Sequence, residues 1–111
     1  MRDVRILNFI PAEDPVSLSR GVNLLLMIDN RGDETTACIR FFASDGTQWR
    51  ELIAEERNLP GKTHVHAYFR LPPECFAPSK WGGESQEELT VCVGEAPPEN
   101  GERGQLLFFV P

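Results

Sequence analysis

Basic residues are scarce in this chain. Lys and Arg total 11 against 17 Asp and Glu, for a net charge of −6 over 111 residues. The 11 are scattered, so the clustered basic footprint that nucleic acid requires is missing and nucleic acid is not expected as a partner. The same balance repels an anionic membrane surface. Cysteine is sparse too. Cys38, Cys75 and Cys92 make an odd count with no Cys-x-x-Cys pair, which excludes a disulfide framework. No apolar run approaches the roughly 18 residues needed to cross a bilayer, so membrane insertion is not expected. No 3.6-residue apolar period lasts beyond two turns, which excludes long amphipathic helices. Met1-Arg2-Asp3-Val4-Arg5 is charged, but no apolar signal segment follows it. With residue 1 as the natural start the chain is expected in the cytoplasm; as an excised domain its location stays open.

Turn formers and short apolar runs are plentiful. Nine Pro and nine Gly stand beside a 41% hydrophobic content, enough for one core. Residues 1–111 are expected to form a single domain. Residues 3–9 read as a first strand with a bend near Asn8, stopped by Pro11 and Pro15. Residues 22–29 alternate, with Val22, Leu24, Leu26 and Ile28 on the core face and Leu25 and Met27 on the other. The cluster Asp29-Asn30-Arg31-Gly32-Asp33 turns the chain into a third strand over residues 36–42, with Ala37, Ile39 and Phe41 inward and Cys38, Arg40 and Phe42 outward. Asp45-Gly46 marks the next turn, and residues 48–53 a short fourth strand. Residues 54–59 fit either a helical turn or an extended polar edge. Residues 62–71 alternate cleanly, with Val65, Ala67, Phe69 and Leu71 inward. Residues 72–88 read as a long irregular connection, helical around 73–76. Residues 89–93 and 105–110 complete seven strands. The expected fold is all-β: a seven-stranded antiparallel sandwich of immunoglobulin or fibronectin III type. An OB-like or jelly-roll barrel is the alternative.

Three turn segments carry a resemblance. Ser19-Arg20-Gly21, Ile28-Asp29-Asn30-Arg31-Gly32-Asp33 and Leu59-Pro60-Gly61-Lys62-Thr63 stand in an order that resembles CARDB-like and related bacterial Ig-like modules, over residues 4–70. That resemblance implies an adhesive or spacer domain, without catalysis, of the kind found in exported multidomain proteins.

Several side-chain groups invite chemistry. His64 and His66 are two apart on a strand and point the same way, so both imidazoles reach one ion if a third ligand such as Glu51, Glu55 or Cys75 joins them. The simpler reading is two solvent-facing histidines, and no cofactor is expected. Arg31-Gly32-Asp33 spells an adhesion tripeptide, but glycine and aspartate at a tight turn account for it fully. Cys38 and Cys92 fall on outward positions of strands that neighbour each other in such a sandwich, which leaves a thiol pair open. The acidic runs 84–88 and 95–102 lack calcium-loop spacing and read as solvated surface. Trp81 lies in the long connection with Phe76, either as a recognition anchor or as a plug over the core. Trp49, Tyr68 and Trp81 together would suit a carbohydrate or peptide ligand.

The outward apolar residues are the strongest functional signal. Leu25, Met27, Phe42, Leu106, Phe108 and Val110 fall on positions opposite the core face, and scattered singly they would need no explanation. Clustered, they exceed an ordinary surface patch. With Trp81 they form the expected interaction surface of a non-catalytic module that docks a protein partner or a second copy of itself. A metal protein built on His64 and His66, and a module binding carbohydrate or peptide through loop aromatics, are the competing readings.

Overall fold

The alternation of residues 22–30 decides the architecture. In the computed structural model, which describes residues 3–12, 17–44, 49–81, 83–93 and 102–110, this segment is a nine-residue strand in which buried and half-buried side chains strictly alternate. For some strand residues only the backbone is described. The strands are β1 (Val4–Pro11), β2 (Val22–Asn30), β3 (Thr35–Ser44), β4 (Trp49–Leu59), β5 (Thr63–Leu71), β6 (Gly83–Val93) and β7 (Glu102–Val110). They form two sheets, ordered β1-β2-β5 and β4-β3-β6-β7, and every pairing is antiparallel. The all-β, antiparallel expectation holds. No helix among the described residues is long and apolar enough to cross a membrane.

The two sheets share one core. Leu24, Leu26 and Ile28 from β2 are fully buried, as are Ala37, Ile39 and Phe41 from β3. Phe41 meets Phe69 of β5 with ring centroids 5.2 Å apart and the planes tilted by 54°, a favourable aromatic geometry that ties one sheet to the other. Each buried Leu, Ile or Phe contributes about 2–3 kcal/mol of apolar transfer energy. Leu18 is also fully buried, although it lies in the connection before β2, in a 3-10 turn that Gly21 ends with φ of 86°.

Two segments differ from expectation. The fourth strand does not stop at residue 53; β4 runs to Leu59, so residues 54–59 are the extended polar edge. The long connection is shorter than expected because β6 begins at Gly83, six residues before the apolar alternation of Leu89 and Val91. Its polar first half, Glu84 to Glu88, carries no hydrophobic period, yet it pairs with Phe109 to Gln105 of β7. Backbone pairing supplied what side-chain pattern could not. Between β5 and β6 the chain makes two 3-10 turns, Pro73–Cys75 and Pro78–Lys80.

One polar side chain organises an end of the molecule. Asn30 is fully buried. Its Nδ2 donates to the carbonyls of Asp33 at 3.1 Å and Pro60 at 2.8 Å, and its Oδ1 accepts from the Gly32 amide at 3.0 Å. The Lys62 amide donates to the Gly32 carbonyl at 2.9 Å. The β2–β3 corner and the β4–β5 turn are therefore locked together. A Cβ on Gly61 would lie 2.8 Å from the Glu34 amide nitrogen, which explains a glycine there. The Arg-Gly-Asp tripeptide is part of this lock.

Candidate interaction surface and inter-sheet cleft

The expected interaction residues whose side chains are described lie on different sheets and do not form one patch. Leu25 and Met27 lie on β2, on the outer face of the three-stranded sheet, and are half-buried. Phe42 lies on β3 of the other sheet and is only 8% exposed. Its expected availability is corrected by a local lid. The Arg40 guanidinium sits 5.1 Å above the Phe42 ring and is held by two bonds to Glu51, at 3.1 and 2.9 Å. Those bonds also hold the Glu51 carboxyl below the usual carboxylate range. A register shift between Phe41 and Phe42 opposite β4 accompanies the change from core-facing to outward positions.

Leu106 and Phe108 lie on β7, opposite Glu87 and Ser85, and their side chains fall outside the described residues. In backbone register Phe42 aligns with Thr90 and, through it, with Arg103; Leu106 and Phe108 belong to the other alternation. Trp81 packs, half-buried, against the core, and its Nε1 is buried with no hydrogen-bond partner among the described residues. Phe76 beside it is 3% exposed. Both aromatics of the connection thus pack on the core.

The histidine pair is exposed, with ring centroids 5.3 Å apart, edge to face. The structure does not add the suggested third ligands. Glu51 binds Arg40, Glu55 binds Arg57 at 3.1 Å, and the Cys75 thiol donates to the Leu52 carbonyl at 3.8 Å. Among the described residues no group of three or more His, Cys, Asp or Glu is placed to hold a metal ion. Burial pushes the Cys75 thiol up, with the Glu74 charge adding to it, so it is a weak nucleophile. Cys38 is a free thiol; β6 sets Cys92 opposite Arg40 and not opposite Cys38, and its side chain lies outside the described residues. The Trp49 side chain does too.

Sequence reasoning missed what surrounds Leu25 and Met27. Leu7 is 48% exposed, Ile10 41% and Tyr68 64%. Ile10 and Tyr68 flank Leu25 on either side in register, and Asn8 and His66 flank Met27. Leu7 sits where the β1 register shifts between Ile6 and Asn8, beside Met27. That bulge, expected near Asn8, turns Leu7 and Asn8 both to solvent.

A second feature lies at the side of the molecule. The three-stranded sheet ends at β5 while the facing sheet continues to β4. Ile53, Glu55 and Arg57 of β4 pair with Phe41, Ile39 and Ala37, so they occupy core-side positions, beyond the β5 edge of the facing sheet. A cleft of about 480 Å³ opens there, lined by these three with Tyr68, Phe69 and Arg70 among others. Arg57 closes its floor, lying 4.2 Å above the Phe69 ring and donating to the Tyr68 carbonyl at 2.8 Å.

No family model matches the chain, and no curated protein matches it. Solved structures are similar in fold. A β-glucosidase from Listeria innocua in complex with glucose superposes with a TM-score of 0.66 at 13% identity, over 99% of this chain and 17% of that one. A β-glucosidase from Erythrobacter marinus gives 0.67 at 8% identity, over 99% and 16%. An alkylpurine DNA glycosylase from Pseudomonas fluorescens, bound to DNA containing an abasic site analog, gives 0.51 at 14%, over 100% and 31%. The chain thus spans about a sixth of the length of these glucosidases.

Proposed function

We propose that the chain is a non-catalytic protein-interaction module, an immunoglobulin- or fibronectin III-like sandwich that docks through the outer face of its three-stranded sheet. One observation carries the reading. Among the described residues, the three large apolar side chains that remain exposed, Leu7, Ile10 and Tyr68, all border Leu25 and Met27 on that face. A contiguous apolar patch of this kind marks a surface that a partner covers. Two antiparallel sheets of three and four strands support the sandwich type. The similar fold within a β-glucosidase chain and within a DNA glycosylase chain supports a building block that does not itself dictate an activity. Its occupant is then a neighbouring protein or a second copy of the chain.

The test is site-specific photocrosslinking. A photoreactive side chain replaces Met27, and in a control replaces Glu56, an exposed residue of the other sheet. A single discrete adduct from Met27, and none from Glu56, is expected. Equal, diffuse labelling from both positions would sink the proposal. Light scattering of the purified chain over a concentration series then separates a second copy from a different protein.

A further inference from the structure

The geometry points to a second binding site, beside the outer face and sharing only Tyr68 with it: the cleft between β4 and β5 accepts an extended acidic peptide segment as a fourth strand on the β5 edge. Three observations place it there.

First, β5 is an edge strand whose backbone is addressable from the cleft. The Tyr68 carbonyl accepts a hydrogen bond from Arg57 of β4, so it points away from β2. In an antiparallel strand alternate residues share that direction, so the backbone groups of His66 and Arg70 face the same side. Second, the space beyond that edge is already walled. Ile53, Glu55 and Arg57 stand on the core side of β4 beyond the β5 edge, and Arg57 reaches across to Phe69 and the Tyr68 carbonyl. An added strand would therefore gain ladder bonds along β5 and apolar contact with Ile53. Third, the charge is inverted relative to the whole chain. Acids outnumber bases 17 to 11 overall, yet this cleft holds two guanidiniums and one carboxylate.

The exchange on binding conserves hydrogen bonds. A ligand amide takes over the Tyr68 carbonyl. The released Arg57 guanidinium keeps its bond to Glu55 and turns its freed N–H to a ligand carboxylate, and Arg70, held by the Arg20 carbonyl, offers a second cation at the strand's outer side. Strand addition supplies affinity through the main chain, and the arginines select acidic side chains. Arg57 in its resting position also guards the edge against indiscriminate pairing, as charged side chains on edges do.

The experiment is amide-resolved NMR titration of the full chain with a capped heptapeptide alternating Glu and Val. Expected are shifts concentrated at the His66, Tyr68 and Arg70 amides. The same peptide with Gln for Glu should bind roughly tenfold more weakly, the scale of one charge-assisted hydrogen bond. Arg57→Gln and Arg70→Gln should each erase most of that difference. Because the Glu-to-Gln comparison leaves the protein untouched, it decides even if an arginine variant fails to fold. The proposal is overturned by equal binding of the Gln peptide or by equal binding of a backbone N-methylated Glu peptide. Free glutamate reproducing the shifts, shifts confined to the Leu25 and Met27 face, or no shift at all would overturn it equally.

Discussion

The two outer faces of this molecule begin with the same difficulty and resolve it differently. Each sheet carries apolar side chains at positions that point away from the core. On the four-stranded sheet Phe42 is covered by Arg40, itself held by Glu51, and is left 8% exposed. On the three-stranded sheet Leu7, Ile10 and Tyr68 remain 41–64% exposed around Leu25 and Met27. An outward aromatic is thus not a patch where a long cationic side chain can lie across it and be fixed there. Among the described side chains, the contrast between a lidded Phe42 and the open Leu7, Ile10 and Tyr68 singles out the three-stranded sheet.

The largest effect is expected where both faces depend on a shared frame. Asn30→Ala would strip the carbonyls of Asp33 and Pro60 and the Gly32 amide of their buried partner. A loss of about 2 kcal/mol or more is expected in urea unfolding, with both sheets melting together. Sheets that unfold in separate transitions would mean the faces belong to separable units. Next, Arg40→Ala removes the lid. About 1 kcal/mol of stability should go, and binding of a hydrophobic dye should rise as Phe42 opens. An unchanged dye signal would show that other side chains cover Phe42.

A smaller effect is a pH dependence. Glu51 has its carboxyl lowered by the Arg40 hydrogen bonds, so its contribution is present above the unfolded value of about 4.3 and is lost as pH falls through the lower folded value. The pair is partly exposed, so less than about 1 kcal/mol is at stake. Comparing acid unfolding of the parent and Glu51→Gln checks it; the variant should lack that part of the slope. The smallest stability change is expected on the open face. Ile10→Ser with Tyr68→Ser should alter stability by no more than about 0.5 kcal/mol per site while lowering dye binding. A large destabilisation there would show that these residues serve the fold and leave no open face to contrast.

Much of the strand pattern was legible. β2 and β5 alternate in sequence and in burial alike, because a strand with one face on the core must repeat every two residues. The early part of β6 was not legible, since residues 83–88 are polar and owe their extension to β7. The candidate site was half legible. Leu25 and Met27 were found by parity, but their neighbours Leu7 and Ile10 were obscured by the β1 bulge. Phe42 had the right parity and the wrong exposure, because the covering Arg40 is two residues away on the same strand and its anchor Glu51 lies across the ladder on β4. The cleft left no local signal, since it exists only where β4 outruns the sheet it faces.

The sequence alone determined that this chain folds as antiparallel strands, which side of β2 faces the core, and that acids outnumber bases 17 to 11. Those properties are local or compositional: a period of two, turn residues at Asn30 to Asp33, a count of charges. Only the tertiary structure decided which outward residues stay open to solvent, which are lidded, and that Ile53 and Arg57 look across a gap at the edge of β5. These follow from how many strands each sheet holds and which side chains cross between them, and no single segment encodes that.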